Sequence, residues 1–188
     1  PTWWASGSWP RPASIPPAAM WPCTMPHRPS GATLRAMDTD TTQLACPHCL
    51  SINRVPDARL GDDPKCGRCG HGLFTGMPLA LTARNAEALL LKSEQPVIID
   101  AWAAWCGPCR SFAPVFAAAC QRLEPQFRFV KLDTEAEPQL ASQFRIQSLP
   151  TLIAWQGSRD GGHEVARTSG ALPLPAFMQW LATSYGLA

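Results

Sequence analysis

The chain has 188 residues, a formal charge of +2 and 46% hydrophobic residues, enough for one ordinary domain with a smaller attachment. The small net charge gives no support for a nucleic-acid or anionic membrane partner. No run of 18 or more apolar residues predicts a membrane span, so we expect a soluble protein.

Residues 1–36 differ from the rest of the chain. They contain eight prolines, four tryptophans and no acidic residue, and they show no hydrophobic periodicity. Such a segment buries too little surface to offset its ordering entropy, and we expect it to be disordered. Its prolines also interrupt the apolar stretch that a secretory signal needs. We expect the natural product to begin at Met37, and we assign Cys23 no function.

Two cysteine pairs, Cys46-Pro-His-Cys49 and Cys66-Gly-Arg-Cys69, are separated by sixteen residues. This spacing predicts one Zn²⁺ held by four thiolates, from Cys46, Cys49, Cys66 and Cys69. Two further disulfides or reactive thiols are the alternative. His48 and His71 are alternative ligands, but four sulfurs already complete a structural site. We expect residues 37–76 to form a module that depends on the metal to fold.

From Leu79 onward, strand and helix patterns alternate, and residues 77–188 are predicted to form the main domain. The predicted strands are 79–81, 97–102, 127–132, 150–155 and 164–168. The predicted helices are 85–92, one from about 111 that Pro114 should kink, 138–144 and 174–185. This order predicts an α/β fold whose mixed central sheet is flanked by helices and ends in an antiparallel hairpin.

A third pair lies in Trp105-Cys106-Gly107-Pro108-Cys109, between a predicted strand and a predicted helix. The N-terminus of a helix stabilises an anion, here the Cys106 thiolate. Cys109 is one turn away and can displace a group that Cys106 has captured. We therefore assign Cys106 as the attacking nucleophile, nearer solvent, and Cys109 as the more buried resolving thiol. A structural disulfide or half of a metal site is the alternative, and Asp100 in the preceding apolar run favours redox chemistry.

Six of the eight cysteines fall into Cys-x-x-Cys pairs, a spacing that serves metal binding and redox chemistry in reducing compartments. This usage predicts a cytoplasmic protein. Cys120 lies eleven residues after Cys109 and shares its helix face, so we interpret it as a buried free cysteine rather than a second redox centre.

The Trp105–Cys109 motif resembles the active site of the thioredoxin family, and the resemblance extends over residues 79–187 through Asp100–Trp105, Lys131–Asp133, Leu149–Thr151 and Gly170-Ala171. With the four-cysteine module it resembles the zinc-containing bacterial thioredoxins over residues 44–187. The resemblance implies a thioredoxin fold and a protein-disulfide reductase. Its implied partners are disulfide-containing proteins and thioredoxin reductase, which draws electrons from NADPH. No bound nucleotide or flavin is expected, because the chain has no Gly-rich dinucleotide fingerprint.

The resemblance also implies roles for residues outside the cysteine pair. Asp100 corresponds to a buried carboxylate that accepts the Cys109 proton, although a residue capping a strand end is the alternative. Lys131 corresponds to a lysine near that carboxylate, and an exposed strand lysine fits its spacing equally well. Pro150 corresponds to a cis-proline that faces the cysteines, whereas base rates alone favour trans. The implied docking surface consists of Trp105, Gly107, Pro108, Leu149, Gly170 and Ala171.

Two residues depart from the family pattern, since Ala101 and Arg145 stand where relatives often have an aromatic residue and a glycine. Arg145 is expected to alter the docking rim. Two other functions stay open. A disulfide oxidase or isomerase is disfavoured by Gly107-Pro108, and a zinc-ribbon binding module with a scaffold domain is disfavoured by both cysteines and Asp100. We also hypothesise that oxidation of the zinc thiolates releases the metal. No oligomer interface is indicated, so we expect a monomer.

Overall fold

The computed structural model describes residues 41–158 and 161–187 of the chain. The expectations for residues 1–36, for a start at Met37 and for Cys23 lie outside the described residues. No helix in the described part of the chain is both long and apolar enough to cross a membrane.

The metal-binding module begins with a hairpin that the sequence analysis did not predict. Strand β1 (Thr41–Ala45) pairs antiparallel with β2 (Ile52–Pro56), and the first cysteine pair begins in the turn between them. A bridge between Lys65 and Gly72 closes the loop that carries the second pair. A small apolar cluster then packs inside the module, consisting of Leu44, Cys46, Val55, Cys66 and Leu73.

The main domain is built on a five-stranded mixed sheet, as predicted. Its strands are β3 (Leu79–Ala80), β4 (Val97–Trp102), β5 (Arg128–Asp133), β6 (Thr151–Gln156) and β7 (His163–Ser169), in the order β3-β5-β4-β6-β7. The pairs β3–β5 and β4–β5 are parallel, while β4–β6 and β6–β7 are antiparallel. The helices are α1 (Ala83–Ala86, continuing as a π-helix over Glu87–Leu91), α2 (Gly107–Leu123), α3 (Pro138–Gln143) and α4 (Leu174–Ser184).

Side chains of β4 alternate between two cores, one on each face of the sheet. Ile99 packs in a cluster with Leu89 of α1 and Leu140 of α3. Ile98 packs on the other face with aromatic residues of α2 and α4. By this alternation, Asp100 lies on the same face as Ile98, toward α2.

Helix α2 presents one buried stripe to the sheet, consisting of Cys109, Phe112, Phe116, Cys120 and Leu123. The spacing of three and four residues places all five side chains on one helix face. The helix continues through the exposed Pro114 to Leu123. The interpretation of Cys120 as a buried free thiol is confirmed.

The module packs directly against the main domain. Ala45 at the end of β1 belongs to the same core cluster as Leu81 and Leu89. Between the two parts, the backbone N–H of Glu94 donates to Gln43 O at 2.9 Å, and the N–H of Gln43 donates to Glu94 Oε2 at 2.8 Å. The hairpin is therefore hydrogen-bonded to the loop that precedes β4.

Arg145 takes a backbone conformation that favours glycine. Its φ is +51°, in the left-handed region, and its N–H donates to Ser142 O at 2.9 Å just past the end of α3. A side chain with a Cβ is disfavoured in this conformation and glycine is not. Its side chain lines an open groove between α1 and α3.

We expect Arg145→Gly to stabilise the protein by about 0.5–1 kcal/mol, because the relief of left-handed strain exceeds the added chain entropy of glycine. Urea denaturation measures this difference. Gln121→Gly, at an exposed and right-handed position in α2, is the matched control and should cost about 1 kcal/mol. A loss of stability in Arg145→Gly would contradict the explanation.

Candidate redox and metal sites

The third cysteine pair lies where β4 has ended and α2 begins. Cys106 is the N-cap of α2, and a disulfide joins it to Cys109 with a Cα–Cα distance of 5.3 Å. The backbone N–H of Cys109 donates to Cys106 Sγ at 3.2 Å. A helix N-terminal N–H directed at this sulfur would stabilise its thiolate after reduction.

Cys106 is more exposed than Cys109, as expected, but only slightly. Its exposed fraction is 3%, against 1% for Cys109, so both residues are buried in the disulfide form. Cys106 is buried because its sulfur is bonded to Cys109 and lies against the first turn of α2. The neighbouring Trp105 is 68% exposed and provides the open apolar surface beside the pair.

Strand pairing brings the predicted docking residues to one end of the sheet. Ala101 near the end of β4 pairs with Thr151 at the start of β6, and Thr151 pairs with Ser169 at the end of β7. The loops before β6 and after β7 therefore flank the loop that carries Cys106. The Leu149–Pro150 peptide bond is cis, in agreement with the resemblance, and the N–H of Gly170 donates to Pro150 O at 2.8 Å.

The other predicted docking residues differ in exposure. Pro108 and Ala171 are exposed, like Trp105, whereas Gly107, Leu149 and Gly170 are half-buried. Leu149 also packs partly against the core cluster on the α1 and α3 face. Its side chain thus contributes to the core as well as to the surface.

Asp100 and Lys131 form a buried ion pair beneath α2. Asp100 is fully buried, and the Lys131 ammonium, itself only 6% exposed, donates to Asp100 Oδ2 at 2.7 Å. The ammonium also lies 4.9 Å from the centroid of the Trp102 ring. Lys131 is therefore not the exposed strand lysine that its spacing also allowed, because parallel pairing with β4 places it directly beside Asp100.

The Asp100 carboxylate retains a free oxygen. Its Oδ1 has no hydrogen-bond partner among the described residues. Burial raises the pKa of Asp100, and the nearby Lys131 charge offsets this effect only in part. Since Asp100 and the buried stripe of α2, which begins at Cys109, share one face of the sheet, this oxygen is suited to accept a proton on that face.

The other four paired cysteines converge on one point. Their sulfur atoms all lie within 4.8 Å of one another, with 3.6 Å between Cys46 and Cys69 and 3.6 Å between Cys49 and Cys66. A tetrahedral zinc site with Zn–S bonds near 2.3 Å requires sulfur separations of about 3.8 Å. The donor set and its spacing therefore fit a four-thiolate zinc site.

Neighbouring donors favour the thiolate form of Cys66 in this cluster. The N–H groups of Cys69 and Arg68 and the side chain of Asn53 direct hydrogen bonds at Cys66, and they lower its pKa to about 6. His48 and His71 do not belong to the convergent group. They are exposed and stack on each other with ring centroids 4.2 Å apart, beside the cluster.

Comparison with known proteins gives matches to both parts of the chain. Residues 77–183 match the family model described as thioredoxin, and residues 45–71 match the model described as thioredoxin 2, N-terminal. Thioredoxin C-3 of Corynebacterium nephridii is 41% identical over 138 residues, which are 73% of this chain and 92% of that protein.

Two further known proteins match more than half of the chain. A bifunctional thioredoxin reductase/thioredoxin of Mycobacterium leprae is 36% identical over 107 residues, 57% of this chain and 22% of that protein. The crystal structure of chloroplastic thioredoxin z aligns with a TM-score of 0.51 and 24% identity over 58% of this chain and 96% of that one, which supports the fold alone.

The fold and the Cys-x-x-Cys site define a thiol-disulfide oxidoreductase, and the chain belongs to the thioredoxin family. Its N-terminal module is similar to the zinc ribbon of thioredoxin 2. The combination predicted from the sequence is thus confirmed at the level of the family and of the module.

The sequence analysis missed two polar pairs near these sites. Ser148 Oγ donates to Ser169 Oγ at 3.0 Å beside Pro150, and Arg128 pairs with Glu124 at 2.8 Å between the module and α2. A serine in a loop and a serine at the end of a strand carry no pattern that identifies such a contact. The i,i+4 spacing of Glu124 and Arg128 is a signal, but it spans the break between a helix and a strand, where a surface helix pair is not expected.

We expect the free energy of unfolding of the oxidised protein, relative to that of Asp100→Asn, to fall as the pH rises. The pKa of Asp100 is higher in the folded state, so the folded protein binds the proton more tightly and loses this advantage as the pH passes from about 4 through the folded pKa. The slope should approach about 1.4 kcal/mol per pH unit.

Urea denaturation at successive pH values measures this difference. Asp62→Asn, at an exposed carboxylate, is the matched control for the removal of one carboxylate. A free energy of unfolding of the wild type that rises with pH relative to that of Asp100→Asn would exclude the raised pKa.

Proposed function

We propose that this protein reduces disulfide bonds of other proteins, with Cys106 as nucleophile and Cys109 as resolving thiol. The observation that carries the proposal is the disulfide at the start of α2, where the first-turn N–H of Cys109 is directed at Cys106 Sγ. This donor favours the Cys106 thiolate, which is the species that attacks disulfides.

The reaction consists of two exchange steps. The Cys106 thiolate attacks one sulfur of the substrate disulfide, forms a mixed disulfide and releases the other substrate sulfur as a thiolate. The Cys109 thiolate then attacks Cys106 Sγ, releases the second substrate sulfur and closes the Cys106–Cys109 disulfide. The substrate gains two electrons and becomes a dithiol, and the protein is left in the disulfide form that the structure describes.

The buried Asp100 would accept the proton that Cys109 loses in the second step. Its Oδ1 is without a hydrogen-bond partner in the described part of the chain, and burial raises its pKa toward the range in which it can take and release a proton. Lys131 holds the other carboxylate oxygen and limits how far the pKa rises. We assign Lys131 as a positioning residue.

The extended substrate would dock over Pro150. The cis bond at Leu149–Pro150 and the flanking Gly170 lie at the same end of the sheet as Cys106. Trp105, Gly107, Pro108 and Ala171 would complete this surface.

Recycling requires two electrons, which we assign to thioredoxin reductase and NADPH. The similarity to the bifunctional thioredoxin reductase/thioredoxin named above supports this pairing. We further propose that the protein acts as a monomer in the cytoplasm, where reduced thiols are maintained.

We also propose that the module of residues 37–76 binds one Zn²⁺ per chain through its four cysteines. The convergence of the four sulfurs supports this stoichiometry. When bound, zinc supplies a tetrahedral crosslink between the two cysteine pairs of the module. The protein groups hold it, and the N–H donors at Cys66 favour its thiolate.

Insulin reduction coupled to NADPH consumption by a bacterial thioredoxin reductase tests the redox assignment. We expect Cys106→Ser to abolish turnover, because no attacking thiolate is left. Cys109→Ser should accumulate a mixed disulfide on Cys106 that mass spectrometry detects, since the resolving thiol is absent.

Cys120→Ser is the matched control and should retain turnover, because Cys120 is buried away from the disulfide as a free thiol. Turnover in Cys106→Ser would refute the mechanism. No turnover by the wild type, with a redox potential well above that of the glutathione pool, would favour the oxidase.

Metal analysis tests the zinc site. We expect one zinc per chain in the wild type and in His48→Ala and His71→Ala, because the histidines do not join the convergent group. Cys66→Ser should lose most of its zinc, because three sulfurs do not complete the site. Full zinc in Cys66→Ser, or its loss in either histidine variant, would contradict the four-thiolate assignment.

A further inference from the structure

A buried ion pair stands between the metal-binding module and the main domain. Glu124 directly follows α2, and Arg128 begins β5. Arg128 Nη1 donates to Glu124 Oε1 at 2.8 Å, and the two side chains are only 2% and 5% exposed. Burying two charges is costly unless further partners satisfy them, so their remaining contacts decide what the pair does.

Those remaining contacts all belong to the segment that ends the module. Glu124 Oε2 accepts the backbone N–H of Thr75 at 3.1 Å and of Gly76 at 2.7 Å. Arg128 Nη2 donates to Leu73 O at 2.8 Å, and its guanidinium lies 5.1 Å from the centroid of the Phe74 ring. The pair thus contacts four consecutive residues, 73–76.

The position of this segment depends on the loop that carries the second cysteine pair, Cys66 and Cys69. Leu73 packs with Cys46 and Cys66 in the module's own cluster, and its N–H donates to Pro64 O at 2.9 Å. The bridge between Lys65 and Gly72 joins the two ends of the loop just before the segment begins. Disorder of the loop would therefore withdraw the partners of the buried pair.

The pair also borders the C-terminal end of α2. The backbone N–H of Glu124 donates to Cys120 O at 3.0 Å, and Cys120 is fully buried one turn earlier in the helix. Burial raises the pKa of the Cys120 thiol, the charge of Glu124 raises it further, and the charge of Arg128 lowers it. Cys120 can therefore report on whether this end of the domain is closed.

We propose that Glu124 and Arg128 form a latch through which the zinc site and the C-terminal end of α2 stabilise each other. The inference rests on the proposed zinc site. When the segment 73–76 leaves, Glu124 loses two N–H donors, and Arg128 loses a carbonyl and an aromatic ring. The two charges are then buried without their partners, which disfavours the closed structure around Cys120.

Two measurements on the full-length oxidised protein under anaerobic conditions test the latch. The first is zinc affinity, by competition with a chromophoric chelator. The second is the rate at which N-ethylmaleimide labels Cys120, assigned by peptide mass spectrometry in zinc-loaded and zinc-free samples. The disulfide blocks Cys106 and Cys109, so neither contributes to the labelling.

Removal of zinc from the wild type should raise the Cys120 labelling rate about tenfold or more, because the latch opens. Arg128→Met should lower zinc affinity and raise Cys120 labelling of the zinc-loaded protein, each about tenfold. By linkage, the loss in zinc affinity equals the loss in the stabilisation that zinc gives the folded protein. Arg128→Lys should fall between, because lysine keeps the charge without the fork of donors.

Arg59→Met is the matched control, because Arg59 belongs to the module and pairs only with the exposed Asp62 among the contacts that the structure describes. Both readouts should stay at wild-type values in this variant. If Arg128→Met does not fold, Arg128→Lys and Glu124→Gln provide the same comparison.

Three results would be decisive. Wild-type protein that binds no zinc would refute the zinc site itself. Zinc binding with Cys120 labelling unchanged upon zinc removal would leave the site intact and refute the latch. A zinc affinity equal to that of the wild type in folded Arg128 and Glu124 variants would also refute the latch.

Discussion

Hydrogen bonding of β4 to neighbours on both sides fixes the redox site. Parallel pairing with β5 sets Lys131 beside Asp100, and antiparallel pairing with β6 brings Pro150 to the end of β4, from which the Cys106 loop leaves. One strand thus determines where Cys106, Asp100 and Pro150 lie relative to one another. A slip of one residue in either pairing would turn Asp100 toward the opposite core, because side chains alternate between faces.

Three cysteine pairs of identical spacing have two different chemistries because their surroundings differ. At Cys106 the chain turns from a strand directly into a long helix, so a first-turn N–H meets the sulfur and the second cysteine lies on the buried stripe. At Cys46 and Cys66 the pairs lie in tight turns, and no long helix follows either of them in the described chain. There the sulfurs of two separate turns point at each other, which suits a metal ion.

The sequence predicted most of the main domain because its signals are local. Apolar runs such as Val97–Ile99 and the glycines near residue 161 mark strands and turns, and the cysteine spacing identifies both sites. The hairpin of the module was missed, because its residues Thr41–Ala45 show little alternation and are ordered by packing of Ala45 on the main core. The left-handed Arg145 and the burial of Cys106 depend on tertiary contacts, which periodicity does not encode.

The Glu124–Arg128 pair was beyond sequence reasoning for the same reason, since its partners at 73–76 are about fifty residues distant. The position of the pair at the C-terminal end of α2 also relates it to the redox disulfide. Helix α2 begins at the redox disulfide and ends beside this pair, so a single helix connects the Cys106–Cys109 disulfide with the contact to the module. The module is therefore packed against the main domain and hydrogen-bonded to it. Its final segment satisfies buried charges of the main domain, and Ala45 at the end of its first strand packs in a core cluster of that domain.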